Sequence, residues 1–492
     1  MKPIFFLILV SFFLVKNLDA QTDTLSVSLE EIVTLAQSDA PDALLAETRM
    51  KNRYWFYQSI LADYKPGLNF EGTLPDLNRS IGLISLPDGT STFVQQSQVV
   101  NSVGLSLNQR LAKTGGTIFV RSNLQRLDLL VPKAPNETSY FSTPFSIGFQ
   151  QPVFGYNELK WNKKIEPLRY QEATRSYAEQ MEEVGYQASN LFFEVFISQL
   201  NLRAARQDQA NADTLFNISK GRFEVGRIAE TELLQIELSS MNANAAVQQA
   251  LLDLQSGTEK LRNFLGIRKS IFFKMEAPED IPIFTVKPEE ALQYASQFRS
   301  DVIGFERRLA EADASVAEAK SNRGFQMDVF GQLGFSQKGA TFNDAYQNPE
   351  DYQRVSVGVT MPILDWGRGR ARLETASSNR ELERMNVEQD KVNFEQEILL
   401  KVKQFDLLRN QVALAKRAYE VSLKREDMTR NRYYIGKIDV LDLGVAVTEK
   451  EAARRSYMTA LRAFWLAYYD LRRITLFDFE RDVSLVRRVE GY

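Results

Sequence analysis

Two periods of hydrophobic alternation run through this chain and divide it into long helical stretches and short extended ones. Between Tyr156 and Arg222, and again between Trp366 and Arg432, apolar side chains recur at alternating steps of three and four. Met181, Val184, Ala188, Leu191, Val195 and Leu202 mark the first series. Ile398, Val402, Phe405, Leu408, Val412, Ala415 and Tyr419 mark the second. That spacing is the seam of a coiled-coil-like helix. The other positions are rich in Glu, Gln, Arg, Leu and Ala, all good helix formers, and no proline follows Pro167 in either stretch. At about 1.5 Å per residue each would extend roughly 100 Å, beyond any globular core. Each runs into a glycine, Gly226 or Gly436, suited to a left-handed turn. A second helix of about 35 to 40 residues then returns. Shorter helices are expected from Glu30 to Tyr64, broken near Ser38-Asp39-Ala40-Pro41, and from Glu289 to Asn322. Stacked end to end, two short helices could flank one long one.

The extended stretches have a period of two. The clearest are Phe145 to Gln150 and Val355 to Met361, where apolar residues alternate with Gly, Ser and Thr. Leu68 to Leu74 and Met327 to Phe335 repeat the pattern, and Val103-Leu105-Leu107 and Thr117 to Leu127 follow it more weakly. This predicts four strands in the first half and two in the second, apolar on one face as membrane strands are. The short Lys113-Thr114-Gly115-Gly116 turn reads as a periplasmic one. Six strands cannot close a transmembrane barrel alone, since single-chain barrels begin at eight. Oligomerisation is therefore expected.

The two halves are copies of one unit. Gln151-Pro152-Val153-Phe154 aligns with Met361-Pro362-Ile363-Leu364 at an offset of 210, and the same offset relates Arg222 to Ile228 with Arg432 to Ile438. Upstream, Val27, Glu30, Ala36 and Glu47 match Val286, Glu289, Ala295 and Glu306 at an offset of 259. The first half thus carries 49 additional residues between about Phe70 and Pro152, enough for one extra hairpin.

Composition narrows the chemistry. The 492 residues include no histidine and no cysteine, which removes the usual general base, the thiol nucleophile and the soft metal ligands. No catalytic residue, cofactor or metal site is expected. With 60 basic against 63 acidic residues, no cationic excess recommends nucleic acid as a partner. Lys2 followed by the apolar run Ile4 to Val15 reads as a secretory signal peptide over residues 1–20, too short to span a bilayer.

The strand-to-helix signatures Gln151-Pro152-Val153-Phe154-Gly155 and Met361-Pro362-Ile363-Leu364-Asp365-Trp366-Gly367-Arg368, with the helix tips at Val225-Gly226 and Ile435-Gly436, resemble the TolC-type outer membrane efflux family. The resemblance covers nearly all of the chain after residue 20. It implies a mainly α fold with membrane β: long antiparallel helical hairpins forming an α-barrel, plus β-hairpins contributing to a trimeric transmembrane β-barrel. The implied protein is a homotrimer in outer-membrane lipid with its helices in the periplasm, a passive duct serving a tripartite efflux or type I secretion system. Its implied partners are a periplasmic adaptor and an inner-membrane transporter. Family members commonly supply four strands per chain, so six is a departure. The alternative is a periplasmic coiled-coil scaffold or adaptor without a barrel.

On this reading residues 21–65 are N-terminal periplasmic helices and 66–154 outer-membrane strands and loops with the extra hairpin. Residues 155–267 are the first helical hairpin, 268–286 an equatorial segment, and 287–325 a periplasmic helix. Residues 326–364 are the second outer-membrane hairpin, 365–476 the second helical hairpin, and 477–492 a C-terminal equatorial segment. The resemblance further assigns adaptor contacts to Val225, Gly226, Ile435 and Gly436, and an entrance gate to Asp442, Tyr433 and Glu232. Three symmetry-related carboxylates at a constriction would repel one another and bind cations, while Tyr433 could hydrogen-bond Glu232 across neighbouring helices. The competing role for both acids is to favour a helix N-terminus through its dipole. A second acid of the family's entrance is Val445 here, and an arginine that some members place after the second glycine is Ile438.

Overall fold

The computed structural model describes residues 24–85, 89–130, 137–269, 271–276, 278, 281–435 and 437–486. The expected signal peptide, Gly436 and the last six residues of the C-terminal segment lie outside them. In chain order the elements are β1 (Thr24–Val27), α1 (Leu29–Asp39), α2 (Pro41–Ala62), β2 (Gly67–Ser85), β3 (Ser91–Arg110), β4 (Thr117–Leu129) and β5 (Glu137–Val153). They continue as α3 (Glu158–Glu224), α4 (Glu230–Phe264), β6 (Phe272–Met275), α5 (Pro288–Phe298), α6 (Ser300–Arg323) and β7 (Gln326–Gly339). After a 3-10 turn come β8 (Glu350–Thr360), α7 (Arg368–Tyr434), α8 (Val440–Thr475), β9 (Phe477–Asp478) and β10 (Val483–Ser484). The chain forms two compact units, each assembled from separate segments.

One unit contains β1, α1, α4, β6, α8 and the C-terminal parts of α3 and α7. Helix α1 begins with a reciprocal capping box, in which Ser28 accepts from the Glu31 amide and Glu31 accepts from the Ser28 amide. These bonds from Ser28, the backbone one first, hold the Glu31 carboxyl below the usual carboxylate range. The proline at 41 forces Ala40 into an extended conformation and ends the helix. Val184, Ala188, Val195 and Leu202 of the first seam and Val402, Phe405 and Val412 of the second are buried, and Phe192 and Phe193 of α3 and Leu261 of α4 are buried as well. Beneath them Arg472 bridges Glu182 at 2.9 Å and Asp478 at 3.3 Å, with its guanidinium over the Tyr468 and Tyr469 rings. The parallel pairing of β1 with β6 was not foreseen from sequence.

The other unit contains α2, α6, the N-terminal parts of α3 and α7, and a six-stranded antiparallel sheet. The strand order is β2-β3-β4-β5-β7-β8, so the two halves of the chain meet at β5 and β7. Most strands outrun the stretches of clean alternation; β2 extends to Ser85 and β3 begins at Ser91. In β2 the reason is the irregularity between Thr73 and Asp76, which moves the apolar positions out of phase. The single helix expected from Glu289 to Asn322 is instead α5 and α6, divided at an extended Arg299. No proline follows that residue, so the break has no sequence signature, although it sits 259 positions after the break at Ala40.

Candidate functional site

Two places combine exposure with specific chemistry: the tips of the helical hairpins and the faces of the sheet. The first tip closes where Gly226 adopts φ +71°. Its amide donates to the Phe223 carbonyl at 2.8 Å and the Arg227 amide donates to Arg222 at 2.8 Å, which is a Schellman closure of α3. At the second tip the Lys437 amide donates to the Arg432 carbonyl at 3.0 Å, the same long bond 210 residues on. Val225 and Ile435 are 68% and 64% exposed, so each turn presents one large apolar side chain to solvent.

Tyr433 behaves quite differently from its neighbours at the tip. It is 1% exposed, its hydroxyl lies 3.3 Å from the Ser219 hydroxyl, and the Arg222 guanidinium sits 5.4 Å from its ring centroid. Arg222 also donates to the Tyr434 carbonyl at 3.4 Å. Within the chain, then, Tyr433 joins the second hairpin to α3 rather than to Glu232. Glu232 stands in the first turn of α4, partly exposed, with no side-chain hydrogen bond among the described residues. Asp442 is exposed in the first turn of α8, and its amide donates to the carboxylate of Asp439, which caps that helix.

Ser219, Arg222 and Asp439 were not singled out from sequence. Nothing local marked Ser219, which lies 214 residues from Tyr433.

The sheet has two chemically distinct faces, and the register shows them directly. Leu68, Leu107, Val120, Ile147 and Leu333 are successive partners across five strands and form one continuous apolar row. The neighbouring row on the opposite face reads Asn69, Ser106, Arg121, Ser146, Gly334 and Tyr352. On the apolar face Leu68, Ile147, Leu333 and Val357 are all 44% exposed or more. Among the described residues the outer edges of β2 and β8 have no partner strand. No helix among the described residues is long and apolar enough to cross a membrane.

A third exposed apolar feature lies on α7. Leu400, Leu407, Leu414, Val421 and Met428 recur every seventh residue and are 51% to 72% exposed. These residues occupy one and the same position of successive heptads and so share one face of the helix.

A sequence profile of the family described as outer membrane efflux protein matches residues 94–267 and 291–475. A search of curated sequences finds no match. Among solved structures the chain resembles the CmeC outer membrane channel of Campylobacter jejuni, with a TM-score of 0.67 at 14% identity over 94% of this chain and 88% of that one. It also resembles a membrane protein from Pseudomonas aeruginosa, with a TM-score of 0.66 at 16% identity over 93% and 92% of the two chains. For the outer membrane protein VceC of Vibrio cholerae the TM-score is 0.63 at 14% identity, over 91% and 95%. At these identities the likenesses establish the fold.

Proposed function

The chain belongs to the outer membrane efflux protein family, and we propose that three copies pool their six-stranded sheets into one eighteen-stranded barrel and their helices into a conduit gated at its tips. As a family member the protein is an outer membrane efflux channel whose helices extend into the periplasm. The family match also sets aside the scaffold alternative.

The observation that carries the trimeric barrel is the sheet itself. It is apolar along one face, polar along the other, and open at both edges. In a bilayer an unpaired strand edge leaves backbone groups without partners, at several kcal/mol each, so only closure satisfies them. Pairing β8 of one copy with β2 of the next gives three times six strands. That number leaves an aqueous passage rather than a filled core. The heptad stripe from Leu400 to Met428 supplies a second seam between copies, along α7.

At the tips, the exposed Val225 and Ile435 beside Gly226 and Gly436 serve as contacts for a periplasmic adaptor, which in turn engages an inner-membrane transporter. Tyr433 holds the second hairpin against the first, and Asp442 and Glu232 contribute carboxylates to the entrance. Transport is a passive passage without catalysis.

Absence of native cysteine makes the barrel directly testable by disulfide trapping. Cysteines at Leu68 or Phe70 in β2, combined with cysteines at Val357 or Val359 in β8, are expected to yield covalent trimers in the outer membrane fraction. If every such pair stays monomeric under oxidation, or the protein is released by osmotic shock, the trimeric barrel is wrong.

A further inference from the structure

We propose that the polar wall of the barrel carries an arginine band that draws small anions into the passage and sets its ion selectivity. This rests on the channel reading, which makes the face opposite the apolar row the wall of the passage.

Three successive cross-strand rows near the helical end of that face contain Arg110, Arg354 and Arg121 and no carboxylate. Arg110 pairs across to Thr117, Arg354 to Gln332, and Arg121 to Ser106 and Ser146. The nearest acids on the face lie outside these rows: Asp328 on the helical side, and Glu71 and Glu350 on the far side. Glu71 accepts a hydrogen bond from the Ser106 hydroxyl at 3.1 Å. None of the three arginines has a carboxylate partner among the described residues.

What holds two of them is aromatic. The Phe119 and Phe330 rings stack at 5.8 Å, the Arg121 guanidinium lies 4.2 Å from the Phe119 centroid, and that of Arg354 lies 5.6 Å from Phe330. A guanidinium stacked on a ring keeps its full charge and its donor fork, while its position is restrained. Phe119 is only 3% exposed, and a Cβ on Gly148 would come within 2.5 Å of its ring edge and 2.6 Å of the Gly331 carbonyl oxygen. The missing side chain at Gly148 leaves room for the Phe119 ring, over which Arg121 lies.

Fixed cationic side chains around a pore favour chloride, sulfate, phosphate and carboxylate solutes over cations. In a wide aqueous barrel the field acts within a Debye length of the wall, about 10 Å at 0.1 M salt and about 30 Å at 0.01 M. The selectivity should thus strengthen as salt is lowered.

The test is the reversal potential of purified trimers in planar bilayers under a potassium chloride gradient. R121Q/R354Q is expected to shift it toward the potassium equilibrium potential, with the larger shift at the lower salt. R121K/R354K retains the charge and should keep the wild-type value. Normal conductance steps with an unchanged reversal potential in R121Q/R354Q at low salt overturn the band and leave the channel standing. Absence of steps from the wild-type and the Tyr433→Ala trimer alike overturns the channel and the band together.

Discussion

The two helical tips are built from the same repeat, 210 residues apart, yet they carry different side-chain chemistry. Backbone closure is shared: Arg227 to Arg222 at one tip and Lys437 to Arg432 at the other. The aromatic residue one turn before the closure is not used alike. Phe223 is 39% exposed, whereas Tyr433 is 1% exposed and bonded toward Ser219. Capping differs as well, since Asp439 caps α8 through its carboxylate while its counterpart Ala229 makes no side-chain cap for α4. Duplication preserved the turn because the turn is local. Burial diverged because only one of the two rings faces the other hairpin.

The sharpest way to break this asymmetry is to truncate both rings. Tyr433→Ala removes a buried side chain and should cost about 3 kcal/mol, read as faster amide exchange in the last turns of α7 and raised leak conductance. Phe223→Ala should stay within about 0.5 kcal/mol and leave leak unchanged. Equal effects would mean the two tips are equivalent after all. Exchanging the caps should move stability less: Asp439→Ala is expected to cost about 1 kcal/mol at the second tip, and Ala229→Asp to add a similar amount at the first. Local exchange protection of α8 and α4 reports both, and no protection gained in α4 would contradict the capping argument.

A smaller effect isolates the hydroxyl pair. Tyr433→Phe and Ser219→Ala should each cost about 1 kcal/mol, and the double variant little more than either. Simple additivity would show that the 3.3 Å approach contributes nothing. The mildest change concerns the acids in the first turns of α8 and α4. Asp442→Ala should weaken block of single-channel current by multivalent cations, with Glu232→Gln weaker still because its side chain is less exposed. Unchanged block in Asp442→Ala removes it from the entrance.

The repeat and the helical seams were readable because each depends on near neighbours in sequence. Val184, Ala188, Val195 and Leu202, read as one face of a helix, are buried as one face. Strand lengths were less readable, since the irregularity near Thr73 changes the phase of Leu77, Ile81 and Leu83 relative to Leu68 and Phe70. Arg299 gave no warning of a helix break. The partner of Tyr433 could not be read either, because Ser219 is 214 residues away and neither residue carries a mark of the other.

Sequence alone determined the duplicated architecture, the long helices, the six strands and the glycine at the first turn, which follow from local periodicity or from comparing the chain with itself, and its strand-to-helix signatures carried the family resemblance. Tertiary structure decided which residues meet across strands and helices: the apolar row from Leu68 to Leu333, the stacked Phe119 and Phe330 with their arginines, and the burial of Tyr433 but not Phe223. Period two states that a strand has two faces. Only pairing in register states what each face becomes when six strands lie side by side.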